Sequence, residues 1–309
     1  MTQTVLSVND GPKVTVNTLV NQPLFIPARI IALLMGAFPE ETLFRDAGAN
    51  NSSLVQYEES TPLYLDTDVA DLVEFEEIPV GAGQIGTPRV AVATKKGLGI
   101  RVSKEMRDEN KIDQVNRQLQ QLVNTMIRSR LLALRAVLMA ADIPSVAASA
   151  AWDDPSGRPR KDIANAQEII ATAVPPSSQG EDFLGFNADT VAFSAATTPI
   201  LMDNDNFLKV YGGNIADQNI AYTGKLEQQV MGLDPLQVLG FDPTRALVLE
   251  RKTVGFYSDT RALQSTGLYP EGNGPNGGPT ESWRSDTTAK RAMGVDQPLA
   301  ACWITGITS

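Results

Sequence analysis

The stretch Asp108–Met139, DENKIDQVNRQLQQLVNTMIRSRLLALRAVLM, decides the fold. Its apolar residues fall at Ile112, Val115, Leu119, Leu122 and Met126, then on a shifted stripe at Ile127, Leu131, Leu134 and Leu138. Steps of three and four keep one face of a helix apolar, and no Pro or Gly interrupts them. The spacing predicts one helix of about 32 residues and about 48 Å, where an ordinary helix has about 11 to 12 residues. Ser103 and Asp108 both suit an N-cap, and Pro144 stops the helix. A coiled coil would hold its seam over three or four heptads; here the stripe moves after barely two, which argues against one.

Upstream the period is two rather than 3.6. Arg89–Val102 (RVAVATKKGLGIRV) alternates apolar and polar positions, and Val69–Pro79 (VADLVEFEEIP) precedes it across the Gly-rich turn Gly81–Gly86. These predict two extended arms of a long hairpin. Leu54–Tyr57 and Leu63–Leu65 are short strand candidates. The first 50 residues hold Pro12, Pro23, Pro27 and Pro39 among short apolar groups such as Val14, Val16, Leu19 and Val20. They predict an extended arm with one helical turn near Ala28–Met35, because each proline removes a donor and restricts the residue before it.

Downstream the pattern mixes. Asp162–Ala173 and Thr198–Phe207 read as short helices, and Thr190–Ser194, Pro235–Leu239, Ala246–Glu250, Thr253–Tyr257 and Leu299–Ile307 as strands. Glu271–Pro279 (EGNGPNGGP) is a loop by composition. No internal repeat emerges.

With 309 residues, 42% apolar and 20% charged, the chain can bury a real core. It contains no histidine, which removes the commonest general base, metal ligand and nucleophile partner. The lone Cys302 can form no internal disulfide and fits a reducing compartment. No run approaches 18 apolar residues and no signal peptide opens the chain, so a soluble cytoplasmic product is expected. Net charge is -10, which speaks against a protein held mainly by nucleic-acid phosphates. The charge is blocked: Glu40–Glu77 carries 11 acids and one base, whereas Arg89–Ala140 carries 11 bases and four acids. Solvated faces would explain both blocks; mutual complementarity, within the chain or between copies, would also.

The sequence motifs offer no catalytic site. Gly81, Gly83, Gly86 and Gly272, Gly274, Gly277 match a dinucleotide pattern, yet Pro88 and Pro279 follow where a helix would have to receive the pyrophosphate. Asp203 and Asp205 begin like a calcium loop, but Phe207 stands near the turn-glycine position and no closing Glu follows. Glu76 and Glu77 are neighbours that a strand would point to opposite faces. No catalytic, cofactor-binding or metal residue is assigned; a histidine-free carboxylate hydrolase is the remote alternative.

The order of elements carries a resemblance. An N-terminal arm leads to an acidic run, Val73–Pro79 (VEFEEIP), then Lys95–Gly97 (KKG), then a Ser-Lys-Glu helix start in Ile100–Asp108 (IRVSKEMRD), the very long helix and a mixed domain with a late returning strand. In this order the chain resembles the major capsid proteins of tailed bacteriophages with the Hong Kong 97-type fold, most like those of phages of actinobacteria. Asp162–Ala171 before Thr190–Ser194, Leu226–Gly240 with Pro243–Glu250, and Pro298–Gly306 fit its later pieces. The resemblance spans nearly the whole chain, and its weight lies in the agreement of many local signals.

The resemblance implies an α+β fold with residues 1–52 as N-arm, 53–100 as extended loop, 101–142 with 255–296 as peripheral domain carrying the spine helix, and 143–254 with 297–309 as axial domain. It implies a non-enzymatic virion protein that self-assembles in the host cytoplasm into hexamers and pentamers of an icosahedral shell around double-stranded DNA, held non-specifically. Separate scaffold, portal and decoration proteins are candidate further partners of such a shell, and no membrane or cofactor is expected. Encapsulin-like nanocompartment shells share the fold and are the alternative. The expected contacts between copies set Glu58, Glu59, Glu74, Glu76 and Glu77 against Arg89, Lys95, Lys96, Arg101, Lys104, Arg117, Arg128 and Arg135 of a neighbour. The family's type member joins a loop lysine to another subunit's asparagine; no lysine lies between Arg45 and Lys95 here, so no such link is expected. Met1 leads within a dozen residues into the arm-like stretch, so no cleaved N-terminal scaffold segment is expected either.

Overall fold

The computed structural model describes residues 15–62, 64–175, 183–208, 229–238, 240–273 and 280–308. The periodic stretch forms α5 (Ile112–Ala140), 29 residues long, or about 44 Å. Its two stripes have two partners. Ile112, Val115, Leu119, Leu122 and Met126 enter one apolar cluster, and Leu131, Leu134 and Leu138 enter another. The helix starts later than predicted. Ser103 caps a separate short helix, α4 (Lys104–Asp108), its hydroxyl accepting from the Met106 N–H at 3.2 Å. Asp108 ends α4, and Asn110 at φ +51° turns the chain into α5, a conformation Asn takes more readily than most residues.

One sheet is built around β11 (Ser282–Val295), which pairs antiparallel with β4 (Thr94–Ser103), β9 (Gly255–Ser265) and β10 (Tyr269–Pro270). β1 (Arg45–Ala49) adds to β9 in parallel. β4 lies close against β11 because Gly97 and Gly99 lack side chains: a Cβ on Gly99 would stand 2.2 Å from Asp286 Oδ1, and one on Gly97 2.7 Å from Thr288 Cγ2. The second sheet has the order β5 (Ser145–Ala147), β12 (Ala301–Thr305), β8 (Arg245–Leu249), β6 (Thr190–Ser194), β7 (Asp234–Val238). Its residues alternate between two buried faces, as the period of a strand requires. Phe193, Val248 and Ile304 meet Ile163, Ala166 and Ile170 of α6 (Pro159–Ala171). Leu247, Leu249 and Trp303 meet Leu131, Leu134 and Leu138 of α5. The long helix thus joins both sheets, and each fully buried leucine stabilises that joint by about 1.5 to 3 kcal/mol.

The N-terminal segment has the helical turn expected near Ala28–Met35, lengthened to a full helix, but further helices stand where the rest of an extended arm is expected. α1 (Val16–Asn21), α2 (Phe25–Leu34) and α3 (Pro39–Leu43) precede β1. Pro27 is the third residue of α2 and Pro39 the first of α3, positions whose N–H has no intrahelical acceptor anyway. Ile26, Ile30 and Leu34 then share one face and are buried against α5. Pro12 and Val14 lie outside the described residues.

The hairpin also differs from the prediction. Its arms are β2 (Leu54–Glu59) and β3 (Thr87–Val92), registered Leu54 to Val92 and Glu59 to Thr87. Val69–Pro79 forms no strand, nor do Tyr64 and Leu65. The physical reason is the inward face: Val55 and Tyr57 of β2 alternate and pack with Ala91, Phe256 and Ala292, Tyr57 meeting Phe256 edge-on at 5.1 Å. Val69–Pro79 crowds carboxylates and finds no such surface. After Ala93 the chain leaves the hairpin and enters the first sheet as β4. The Thr198–Phe207 helix is split into α7 (Thr197–Asp203) and α8 (Asp205–Leu208) by Asn204, whose side chain accepts from the Phe207 N–H at 2.9 Å and donates to the Trp152 carbonyl at 2.9 Å. Leu226, Leu239, Gly274 and Gly277 fall outside the described residues.

Candidate assembly surfaces

Between β2 and β3 the chain makes a loop, residues 60–86, whose stretch from Tyr64 to Val80 is exposed throughout. Its base is closed by a pair of bonds: the Ala82 N–H donates to Asp66 Oδ1 at 2.6 Å and the Asp66 N–H to the Ala82 carbonyl at 3.2 Å. Its tip is the tight turn Val73–Glu76. The Glu76 N–H donates to the Val73 carbonyl at 3.0 Å, and Glu76 Oε2 accepts from the Val73 N–H at 2.9 Å. Phe75 is the third residue of that turn, at φ +74°, a conformation that glycine takes at least cost. Phe75 is 98% exposed, and Val69 and Val80 are 95% and 92% exposed. Exposed apolar surface of this extent, bordered by Asp68, Asp71, Glu74 and Glu77, is the kind that interaction sites present.

Of the predicted contact residues, the structure pairs one acid with one base. Arg89 Nε donates to Glu59 Oε2 at 2.6 Å, and its Nη2 reaches Asp142 Oδ2 at 3.2 Å; Glu59 is itself buried. Four other bases are engaged elsewhere in the same chain. Lys96 Nζ donates to the Ser129 carbonyl at 2.7 Å and to its hydroxyl at 3.0 Å; burial and then the nearby Arg130 guanidinium hold its pKa below the ordinary lysine value. Arg101 meets Glu271 at 2.7 Å, and that hydrogen bond draws the Glu271 carboxyl down to about 2. Lys104 faces Glu281 at 3.8 Å and Arg135 faces Asp242 at 3.1 Å. Glu58, Glu74, Glu76, Glu77, Lys95, Arg117 and Arg128 remain exposed, with no ion-pair partner among the described residues.

A second charged feature escaped the sequence reading. Arg291, on β11, holds Asp259 with two bonds of 2.7 and 2.9 Å, Glu40 at 3.1 Å and Glu41 at 3.0 Å. Its guanidinium lies over the Tyr257 ring at 4.3 Å. Arg130 of α5 is buried beside it, 3.9 Å from Glu40 Oε1 and over the Phe38 ring at 5.6 Å. Burial raises the Glu40 pKa, opposed by the fields of Arg291 and Arg130. Burial lowers that of Arg130. The cluster ties α3 to α5, β9 and β11, so it fastens the N-terminal segment to the long helix and the first sheet. One signal was legible: Arg130 falls four residues after Met126 and four before Leu134, an inward position of the stripe. Among the described residues no group of acids or Cys is arranged to hold a metal ion, and no helix is long and apolar enough to cross a membrane.

A family model described as phage capsid protein matches residues 86–304. No curated protein matches the sequence. The fold is similar to solved structures: the capsid of the Myoviridae phage XM1 (TM-score 0.55, 11% identity, 89% of this chain and 92% of that one) and a structure from the Gordonia phage Cozz (TM-score 0.55, 13% identity, 90% and 86%). It is equally similar to a virus-like particle from Pyrococcus furiosus (TM-score 0.57, 10% identity, 90% and 97%). At such identities these likenesses speak for the fold alone, and the family match speaks for the role. This chain belongs to the phage capsid protein family, as a shell protein of the Hong Kong 97-type fold.

Proposed function

We propose that many copies of this chain assemble as hexamers and pentamers into the icosahedral head shell that encloses phage double-stranded DNA. Residues 1–52 act as the N-arm, 53–100 as the extended loop, 101–142 with 255–296 as the peripheral domain and 143–254 with 297–309 as the axial domain. Contacts between copies are heterologous, one face of a subunit meeting a different face of the next, and such contacts close into rings when the rotation allows. The role is structural and not catalytic. Assembly takes place in the host cytoplasm, and separate scaffold, portal and decoration proteins are candidate further partners.

One observation supports this reading: the exposed loop between β2 and β3, whose Val69, Val73, Phe75, Ile78 and Val80 side chains stand largely in solvent. A two-stranded ribbon with a long loop is marginal alone, so a neighbour that covers the loop accounts for its presence. Its free carboxylates, Glu58, Glu74, Glu76 and Glu77, face the free bases Lys95, Arg117 and Arg128 of the adjacent copy in this arrangement. DNA is contained rather than gripped, in keeping with a net charge of -10. A nanocompartment shell around a protein cargo would use the same fold, but the family match is to phage capsids. Reversal of Glu74, Glu76 and Glu77 to Lys tests the loop's part. The triple variant is expected to yield soluble subunits and few or distorted shells, because like charges then meet across the contact. Shells of unchanged yield and salt resistance would contradict the complementarity.

A further inference from the structure

A groove of about 760 Å³ lies between the segment before α3, the outer face of α5 and strand β7. Its walls are mainly apolar: Ala37, Phe38, Ile127, Leu131, Leu132 and Leu236. Leu132 is 54% exposed, unusual for a leucine on the central helix. Arg128 borders the groove, one helical turn from Leu132, and carries its charge free of any ion pair among the described residues. An open apolar slot with a free cation on its rim suits a ligand that is apolar at its tip and anionic around it.

The loop between β2 and β3 has that composition. Phe75 stands almost wholly in solvent at the apex of its turn, in a left-handed backbone conformation that is strained for a bulky side chain. Glu74, Glu76 and Glu77 surround it. The Glu76 carboxylate closes the turn by accepting from the Val73 N–H, and the turn presents the aromatic ring at its apex. Strain and exposure together make physical sense when another surface buries the ring.

Resting on the shell reading above, we infer that the Phe75 turn of one copy inserts into the α3–α5–β7 groove of an adjacent copy, with its flanking carboxylates against Arg128. The aromatic ring supplies buried area at little entropic cost, as anchors at interfaces do. The glutamates set the orientation and disfavour self-pairing of loops, which would bring like charges together.

The test replaces Phe75 with the photoreactive aromatic p-benzoylphenylalanine in the full-length chain. Particles are assembled from a mixture of isotopically light and heavy subunits, irradiated, and the cross-linked peptides mapped by mass spectrometry. The expected result is light-to-heavy cross-links from position 75 to the peptides containing Ile127–Leu132 or Leu236. Particles whose cross-links from position 75 fall elsewhere overturn this inference and leave the shell reading standing. A wild-type chain that stays monomeric overturns both. As a second measurement, Leu132→Glu is expected to cut particle yield with an unchanged circular dichroism spectrum; unchanged yield counts against the groove.

Discussion

Replacement of Arg291 by Met tests the charged joint between the N-terminal helices and the first sheet. Methionine keeps much of the volume against Tyr257 and Phe38 but removes the guanidinium that binds Asp259, Glu40 and Glu41. Glu40 is then fully buried, and among the described residues Arg130, at 3.9 Å, is its remaining ion-pair partner. Loss of one partner from a buried pair costs about 3 to 5 kcal/mol. At about 2.1 cal/mol/K per residue, a chain of 309 residues has an unfolding entropy of about 0.65 kcal/mol/K, so Tm should fall by roughly 5 to 8 °C. Differential scanning calorimetry at fixed protein concentration reads this directly. The pH dependence has a definite sign. Burial already raises the Glu40 pKa above its ordinary 4.5, so its contribution to stability is fully present below that value and is lost as pH rises through the folded value. In the variant the opposing field of Arg291 is gone and the raise is larger. The deficit of the variant is therefore greatest near neutrality and narrows as pH is lowered toward about 5. A variant that melts within about 1 °C of wild type at neutral pH, or whose deficit does not narrow on acidification, would refute the reasoning.

Three further perturbations follow from the packing. Leu122→Asp places a charge at a position 2% exposed in the cluster between α5 and α2; at a cost of several kcal/mol the subunit should become insoluble, and normal particle yield would contradict the helix packing. Asp162→Ala removes the acceptor of the Ser149 N–H at 3.0 Å and of Trp152 Nε1 at 2.9 Å, so the urea midpoint should drop by an amount equivalent to about 1 to 3 kcal/mol for each stranded donor; an unchanged midpoint would count against it. Gly99→Val drives a side chain into Asp286 and the Ser285 carbonyl, and amide exchange along β4 should quicken selectively.

Much of this architecture was legible where apolar residues carry the period. The α5 stripe shifts after Met126, and the helix passes from one cluster to the other a little later, between Ile127 and Leu131. Thr190–Ser194 and Ala246–Glu250 read as strands because Val191, Phe193, Leu247 and Val248 are apolar and buried. β11 left no such trace although it organises the first sheet. Its buried positions include Ser285, Thr287, Ala289 and Arg291, so burial alternates while hydrophobicity does not. In the first 50 residues, prolines that open helices also read as breakers, so the sequence indicates the turn near Ala28–Met35 but not the full i, i+4 face of Ile26, Ile30 and Leu34. The acidic run Val69–Pro79 looked like a strand because propensity alone does not say whether a partner exists. For the assembly surfaces, charge blocks pointed to the loop and the long helix. They did not reveal that Arg89, Lys96, Arg101, Lys104 and Arg135 are engaged within the chain, since those contacts join residues far apart in sequence.

Electron microscopy of the purified wild-type protein decides whether the chain builds a shell. Closed icosahedral shells of uniform diameter are expected, built of hexamers and pentamers in which the loop between β2 and β3 of each subunit lies on its neighbour. A protein that remains monomeric under assembly conditions, or shells in which that loop stays bare to solvent, would contradict this expectation.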